Sequence, residues 1–128
     1  HDIGNVYNAQ GKHEEALVEY QQSLEIKLRM LGSQHPGVVT LYNNIGQVYR
    51  EQVKYEEALL HHHNSLQINI LVHGHIHLHG AMSKHKIGLP LKDMGKKGDA
   101  KDVFTQAAAI RRSIFGAHHL LTIESERR

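Results

Sequence analysis

Apolar and small residues recur along this chain at the three-and-four spacing of amphipathic helices, in blocks that repeat. IGNVYNAQGKHEEAL begins at Ile3, IGQVYREQVKYEEAL at Ile45 and IGLPLKDMGKKGDAK at Ile87, so both offsets are 42 residues without a gap. The following segments keep register: LEIKLRMLG ends at Gly32, LQINILVHG at Gly74 and AAIRRSIFG at Gly116. A fixed period of this length marks an array of repeated structural units.

Each unit reads as two helices. Residues 1 to about 9 form the end of a first helix, with Ile3, Gly4 and Tyr7 on one face, and Gly11 breaks it. A second helix is expected from about Lys12 to Leu31, with Ala16, Tyr20, Leu24, Leu28 and Leu31 as its apolar stripe. After the loop GSQHP, Pro36 suits the first turn of the next helix, where its missing N–H costs nothing. That helix is expected to reach Gln52, with Val39, Tyr42, Ile45, Gly46 and Tyr49 inward. Val53 then stands where the first unit has glycine, and a β-branched residue resists positive φ. The partner helix runs from Lys54 to about His73 and buries Ala58, Leu59, His62, Leu66 and Ile70.

The third unit departs most from the pattern. Its first helix spans about Leu78 to Met94 with Pro90 inside it, which predicts a kink or a split at a cost of about 3 kcal/mol. Gly95 and Gly98 mark the turn. The last full helix, about Lys96 to Phe115, is expected to use Ala100, Phe104, Ala107, Ala108 and Phe115. The units fall at 1–35 (first helix truncated), 36–77 and 78–119, with 120–128 opening a fourth.

No such hairpin buries its apolar stripe alone; stacking on a neighbour does. Gly4, Gly46 and Gly88 are expected to face Ala16, Ala58 and Ala100, while Ser23, Ser65 and Ala107 permit contact with the next unit.

Composition narrows the function classes. The net charge of +2 is too small to argue for nucleic acid, and no stretch approaches the ~20 apolar residues that span a bilayer. The absence of cysteine excludes disulfides and thiolate metal sites. The chain begins at His1, as a fragment would.

The repeated residues resemble the tetratricopeptide repeat: Ile45, Gly46 and Tyr49 in the first helix, and Ala58 and Ser65 in the second, with His62 where Tyr20 and Phe104 stand. The 42-residue form, with YNNIG, GKYEEAL-like and LGxxHP segments, is similar to the kinesin light chain subgroup. HGHIHLHG in place of LGxxHPxxx departs from it. The resemblance implies an all-α fold, an α-α superhelix coiled as a right-handed solenoid. It also implies a cytoplasmic, non-catalytic scaffold or adaptor that holds a peptide or partner helix on its concave face. The concave positions are Asn5, Asn8, Asn43, Asn44, Gln47, Arg50, His85, Lys86 and Lys92, together with His1 and Asp2. Asparagine both donates to and accepts from a peptide backbone. The cations would attract an acidic peptide or a C-terminal carboxylate. Some relatives clamp such a carboxylate with asparagines on two units and two basic residues on the third. Asn5, Asn44 and Lys86 match that pattern, while Met82 breaks it.

Thirteen histidines are the anomaly. His73, His75, His77 and His79 alternate, so an extended loop would set all four on one face; in a helix they would form i,i+4 pairs. Imidazoles in either arrangement suit Zn, Ni or Cu. A histidine-rich metal module is thus the alternative function, and a drifted loop is the plainer account. A third possibility is a spacer or an end-to-end oligomerising segment, since both ends cut through a repeat. His62, facing inward, is expected to have a depressed pKa. No HExxH, phosphate loop or nucleophile elbow is present, so no catalytic residue and no cofactor are assigned.

Overall fold

The computed structural model describes residues 2–74 and 77–126, with side chains over 3–74 and 77–116. Six helices follow one another: α1 (Asp2–Ala9), α2 (His13–Leu31), α3 (Pro36–Glu51), α4 (Tyr55–His73), α5 (Leu78–Asp93) and α6 (Lys97–Glu126). Among the described residues there is no strand. Helices pack as the hairpins α1–α2, α3–α4 and α5–α6, and successive hairpins meet through α2 on α3 and α4 on α5.

The period is written into the backbone. Gly11, Val53 and Gly95 take φ of 75°, 64° and 83°. At each of these turns the amide one residue on reaches back to a helix carbonyl: Lys12 to Tyr7 at 2.8 Å, Lys54 to Tyr49 at 2.8 Å and Lys96 to Leu91 at 2.9 Å. Gly32 and Gly74 close the second helices with φ of 84° and 87°. Gly116 does not: α6 continues through it to Glu126, beyond the expected end near Phe115. Gly98 likewise lies within α6, so Gly95 alone makes the turn.

Proline 90 does not split its helix. α5 runs unbroken to Asp93, and Met94 N–H reaches the Pro90 carbonyl at 2.9 Å, as Gln52 reaches Val48 at 3.0 Å one unit earlier. Only three residues follow Pro90 in the helix, and the missing N–H forfeits one bond, that to the Lys86 carbonyl, while the last turn still closes. Pro90 also sits in the repeat position of Val48, and both are buried.

That position belongs to a stripe missed in the one-face reading of the sequence. Val38, Leu41, Ile45 and Val48 are fully buried, while the expected Val39, Tyr42 and Tyr49 are half-buried. A first helix is sandwiched: one face meets its own partner and the other meets the preceding hairpin. Leu41, Ile45 and Val48 accordingly form a core with Ala16, Leu17 and Tyr20 of α2. On the same positions in the first unit, Ile3 and Val6, no other hairpin packs among the described residues, and they are 58% and 54% exposed. Leu31 and Phe115, also expected to be inward, are exposed.

The glycines do not chiefly face the alanines. A Cβ on Gly4, Gly46 or Gly88 would strike the ring of Tyr20, His62 or Phe104 at 2.6, 2.8 and 2.4 Å, one turn beyond Ala16, Ala58 and Ala100. The rings, larger than a methyl, are what the missing side chains make room for; the alanines are buried beside them.

Candidate functional site

A cavity of about 260 Å³ opens between α3, α5 and the second half of α4. From α3 come Val39, Thr40, Asn43 and Asn44; from α5, His79, Met82, Ser83 and Lys86; from α4, Ile68, Asn69, Val72 and His73. Gln34 and Pro36 close one end.

Neighbouring hairpins are tied beneath it by buried polar groups. Asn69 donates to Ser83 Oγ at 2.8 Å and to the His79 carbonyl at 3.4 Å, and the Ser65 and Ser83 hydroxyls lie 3.2 Å apart. These groups replace part of an apolar interface, because Gly80 and Ser83 occupy the repeat positions of Val38 and Leu41. Buried hydroxyls and amides are tolerated only when paired, and here they pair across the junction.

Lys86 is half-buried at the cavity wall, and burial lowers the pKa of its ammonium. Its ion pair is missing: among the described residues no carboxylate bridges it, and none lines the cavity. Asn43 turns its Oδ1 to His62 Nδ1 at 3.1 Å, which holds neutral His62 with its proton on Nδ1. Burial lowers the His62 pKa to about 4, helped by the positive charges of Lys86, His61, Arg50 and His63. The expectation of a depressed value agrees with this.

Of the nine concave positions, Asn43, Asn44 and Lys86 converge on the cavity. The others are engaged elsewhere. Asn5 accepts from the Tyr20 hydroxyl. Asn8 meets His13 at 3.3 Å, and Gln47 donates to Glu51 at 3.2 Å. Arg50 is held by Asp93 at 2.6 Å, an ion pair that links α3 to the end of α5. His85 packs on the Phe104 ring at 5.1 Å, and Lys92 borders a separate depression with Phe104 and Lys101. His1 lies outside the described residues, as does the Asp2 side chain. The lining residues Ile68, Asn69, Val72 and Ser83 were missed in the sequence, because they join the site only through the stacking of two units.

The described histidines of the run fall on two helices and a cap. His73 ends α4, and His77 caps α5, accepting the His79 N–H on Nδ1 at 3.1 Å. His35 does the same for Gly37 at 3.0 Å one unit earlier. The segment therefore keeps the capping role of LGxxHP beneath its altered letters. His75 lies outside the described residues.

Stacked helical hairpins without a strand among the described residues define an all-α helical-repeat superhelix. Two tetratricopeptide repeat models match the chain, over residues 1–68 and 81–121. The protein belongs to the tetratricopeptide repeat family.

Solved structures agree on the fold. The chain superposes on BtubC (BKLC) from P. vanneervenii with a TM-score of 0.82 at 24% identity, covering 90% of this chain and 46% of that one. A Podosopora anserina protein described as a kinesin light chain with nearly identical TPR-like repeats gives 0.75 at 20% identity, over 86% and 52%. The N-terminal domain of stress-induced protein-1 (STI-1) from C. elegans gives 0.69 at 21% identity, over 87% and 80%. The chain thus spans about half the length of the first two. No curated protein sequence matches it closely. No helix among the described residues is long and apolar enough to cross a membrane.

Proposed function

We propose that the protein is a non-catalytic scaffold whose α3–α5 groove holds an extended segment of a partner protein carrying an acidic side chain. Tetratricopeptide repeats mediate protein–protein contacts, and the chain belongs to that family. The observation that carries the reading is the convergence of Asn43, Asn44 and unpaired Lys86 on one cavity without a carboxylate in its lining. Asn44 serves the guest's main chain, and Lys86 its negative charge. Val39, Ile68, Val72 and Met82 offer an apolar wall for a neighbouring side chain. An acidic side chain is favoured over a C-terminal carboxylate, because Asn5 of the clamp pattern is bonded to Tyr20. A cytoplasmic site of action fits this role; nucleic acid and membrane have no part in it.

A peptide array probed with the whole chain tests the reading. Acidic peptides are expected among the binders, with affinity falling at least tenfold on Lys86→Ala and several-fold on Asn44→Ala. Binders indifferent to both substitutions would sink it.

End-to-end self-association is a second reading, favoured by Ile3 and Val6, which lie open where Ile45 and Val48 are covered. A sedimentation coefficient independent of concentration, from micromolar to millimolar, would refute it.

A further inference from the structure

The end of α4 and the start of α5 bring three imidazoles together. His73 and His77 stack with centroids 4.2 Å apart and planes at 12°, and the His79 ring stands edge-on to both at 4.9 Å. One ligand nitrogen from each residue lies within 4.8 Å of the others. We propose that His73, His77 and His79 form a binding site for a single divalent transition-metal ion of the Zn²⁺, Ni²⁺ or Cu²⁺ type.

The donor set selects the metal class. Three neutral imidazoles suit borderline cations, whereas Mg²⁺ and Ca²⁺ require oxygen ligands. A zinc–nitrogen bond of about 2.0–2.1 Å places tetrahedral ligand nitrogens about 3.4 Å apart. The rings therefore need to close by little more than an ångström. The stacked His73 and His77 rings must also swing out of parallel, because an imidazole lone pair lies in its ring plane; His73 and His79 are exposed and His77 half-buried, which leaves the side chains room to turn.

The equivalent junction one unit earlier shows that the cluster is more than the capping motif. There the matching residues are Leu31, His35 and Gly37. His35 caps its helix with no second imidazole from those positions, so His73 and His79 are what convert a cap into a ligand set.

His77 serves two ends. Its Nδ1 accepts the His79 N–H, which leaves the proton of the neutral ring on Nε2. A metal takes one nitrogen lone pair. Binding through Nδ1 displaces the capping bond directly; binding through Nε2 moves the proton to Nδ1 and abolishes it as acceptor. Metal binding is thus coupled to the start of α5. His73 and His79 also line the groove, so the ion sits at its rim. With three protein ligands, a coordination position remains for water or a guest carboxylate.

Titration of the untagged chain with ZnCl₂ by calorimetry, without peptide, tests the site independently of the groove's occupant. One ion per chain is expected, with affinity reduced at least tenfold by His73→Ala and by His79→Ala and unchanged by His63→Ala. Excess Mg²⁺ is expected not to compete. Both ligand positions are exposed, and unchanged helical circular dichroism shows that the variants remain folded. Absence of saturable binding, or binding indifferent to His73→Ala and His79→Ala, would overturn the proposal.

Discussion

Gly46 lies flat against the ring of His62, so close that a Cβ on Gly46 would come within 2.8 Å of Cε1 and Nε2. Gly88 stands in the same relation to Phe104, at 2.4 Å. The hairpins are held at a spacing set by a ring on one helix and a bare backbone on the other. Gly46→Ala or Gly88→Ala is therefore expected to destabilise the protein by about 1–3 kcal/mol, the usual cost of overpacking. Urea denaturation of each variant measures it.

The His62 ring that fills this space must remain neutral. Its folded pKa of about 4 lies below the ordinary 6.5, so its contribution to stability is complete above the unfolded value. That contribution declines as pH falls from 6.5 towards 4, where the folded state resists a proton the unfolded chain accepts. The shift corresponds to a loss on the order of 3 kcal/mol across the window. A melting temperature that falls between pH 7.5 and pH 5.5, with the fall reduced in His62→Phe, is the expected result. An unchanged melting temperature in the native chain would refute it.

Val53 holds φ of 64°, where Gly11 and Gly95 stand in the flanking units. Left-handed backbone costs a residue bearing a Cβ about 1–2 kcal/mol. Val53 is 66% exposed, so little packing is lost on removing it. Val53→Gly is expected to raise stability by about 1 kcal/mol, read as a shift of the urea midpoint at unchanged slope.

Pro90 fills the buried position that Val48 fills one unit earlier. Pro90→Val restores the N–H to the helix in a residue of similar bulk. It is expected to stabilise the chain by about 1–3 kcal/mol. A neutral or destabilising result in thermal melts would show that the proline ring is itself required at the junction.

The repeat, the six helices and the groove-lining helices were legible because they follow from spacing along one segment. The inward face read from the sequence holds Ile45 and Gly46, which are buried, and Tyr49, which packs on the core, but it omits Val38, Leu41 and Val48. A helix buried on two faces offers two stripes, and Tyr42 and Tyr49 outweigh Val38 and Leu41 when one face is sought. The site was legible only in part. Asn43, Asn44 and Lys86 sit on first helices at predictable register, whereas Asn69 and Ser83 acquire their role by pairing across a junction. The cap formed by His77 was hidden by the alternating histidines, although its spacing matches His35. The pairing of Arg50 with Asp93, 43 residues away, is likewise invisible to spacing along one segment.

Ile3 and Ile45 hold the same place in successive units, and among the described residues only the second is covered by a neighbouring hairpin. If the preceding copy completes each unit, Ile45→Ala costs about 2–5 kcal/mol, as a cavity in a packed core does. Ile3→Ala then costs less than about 0.5 kcal/mol, as an exposed substitution does. Unfolding free energies of the two variants, measured side by side in urea, decide the matter. A large difference in this direction is the predicted result, and equal costs would contradict the account.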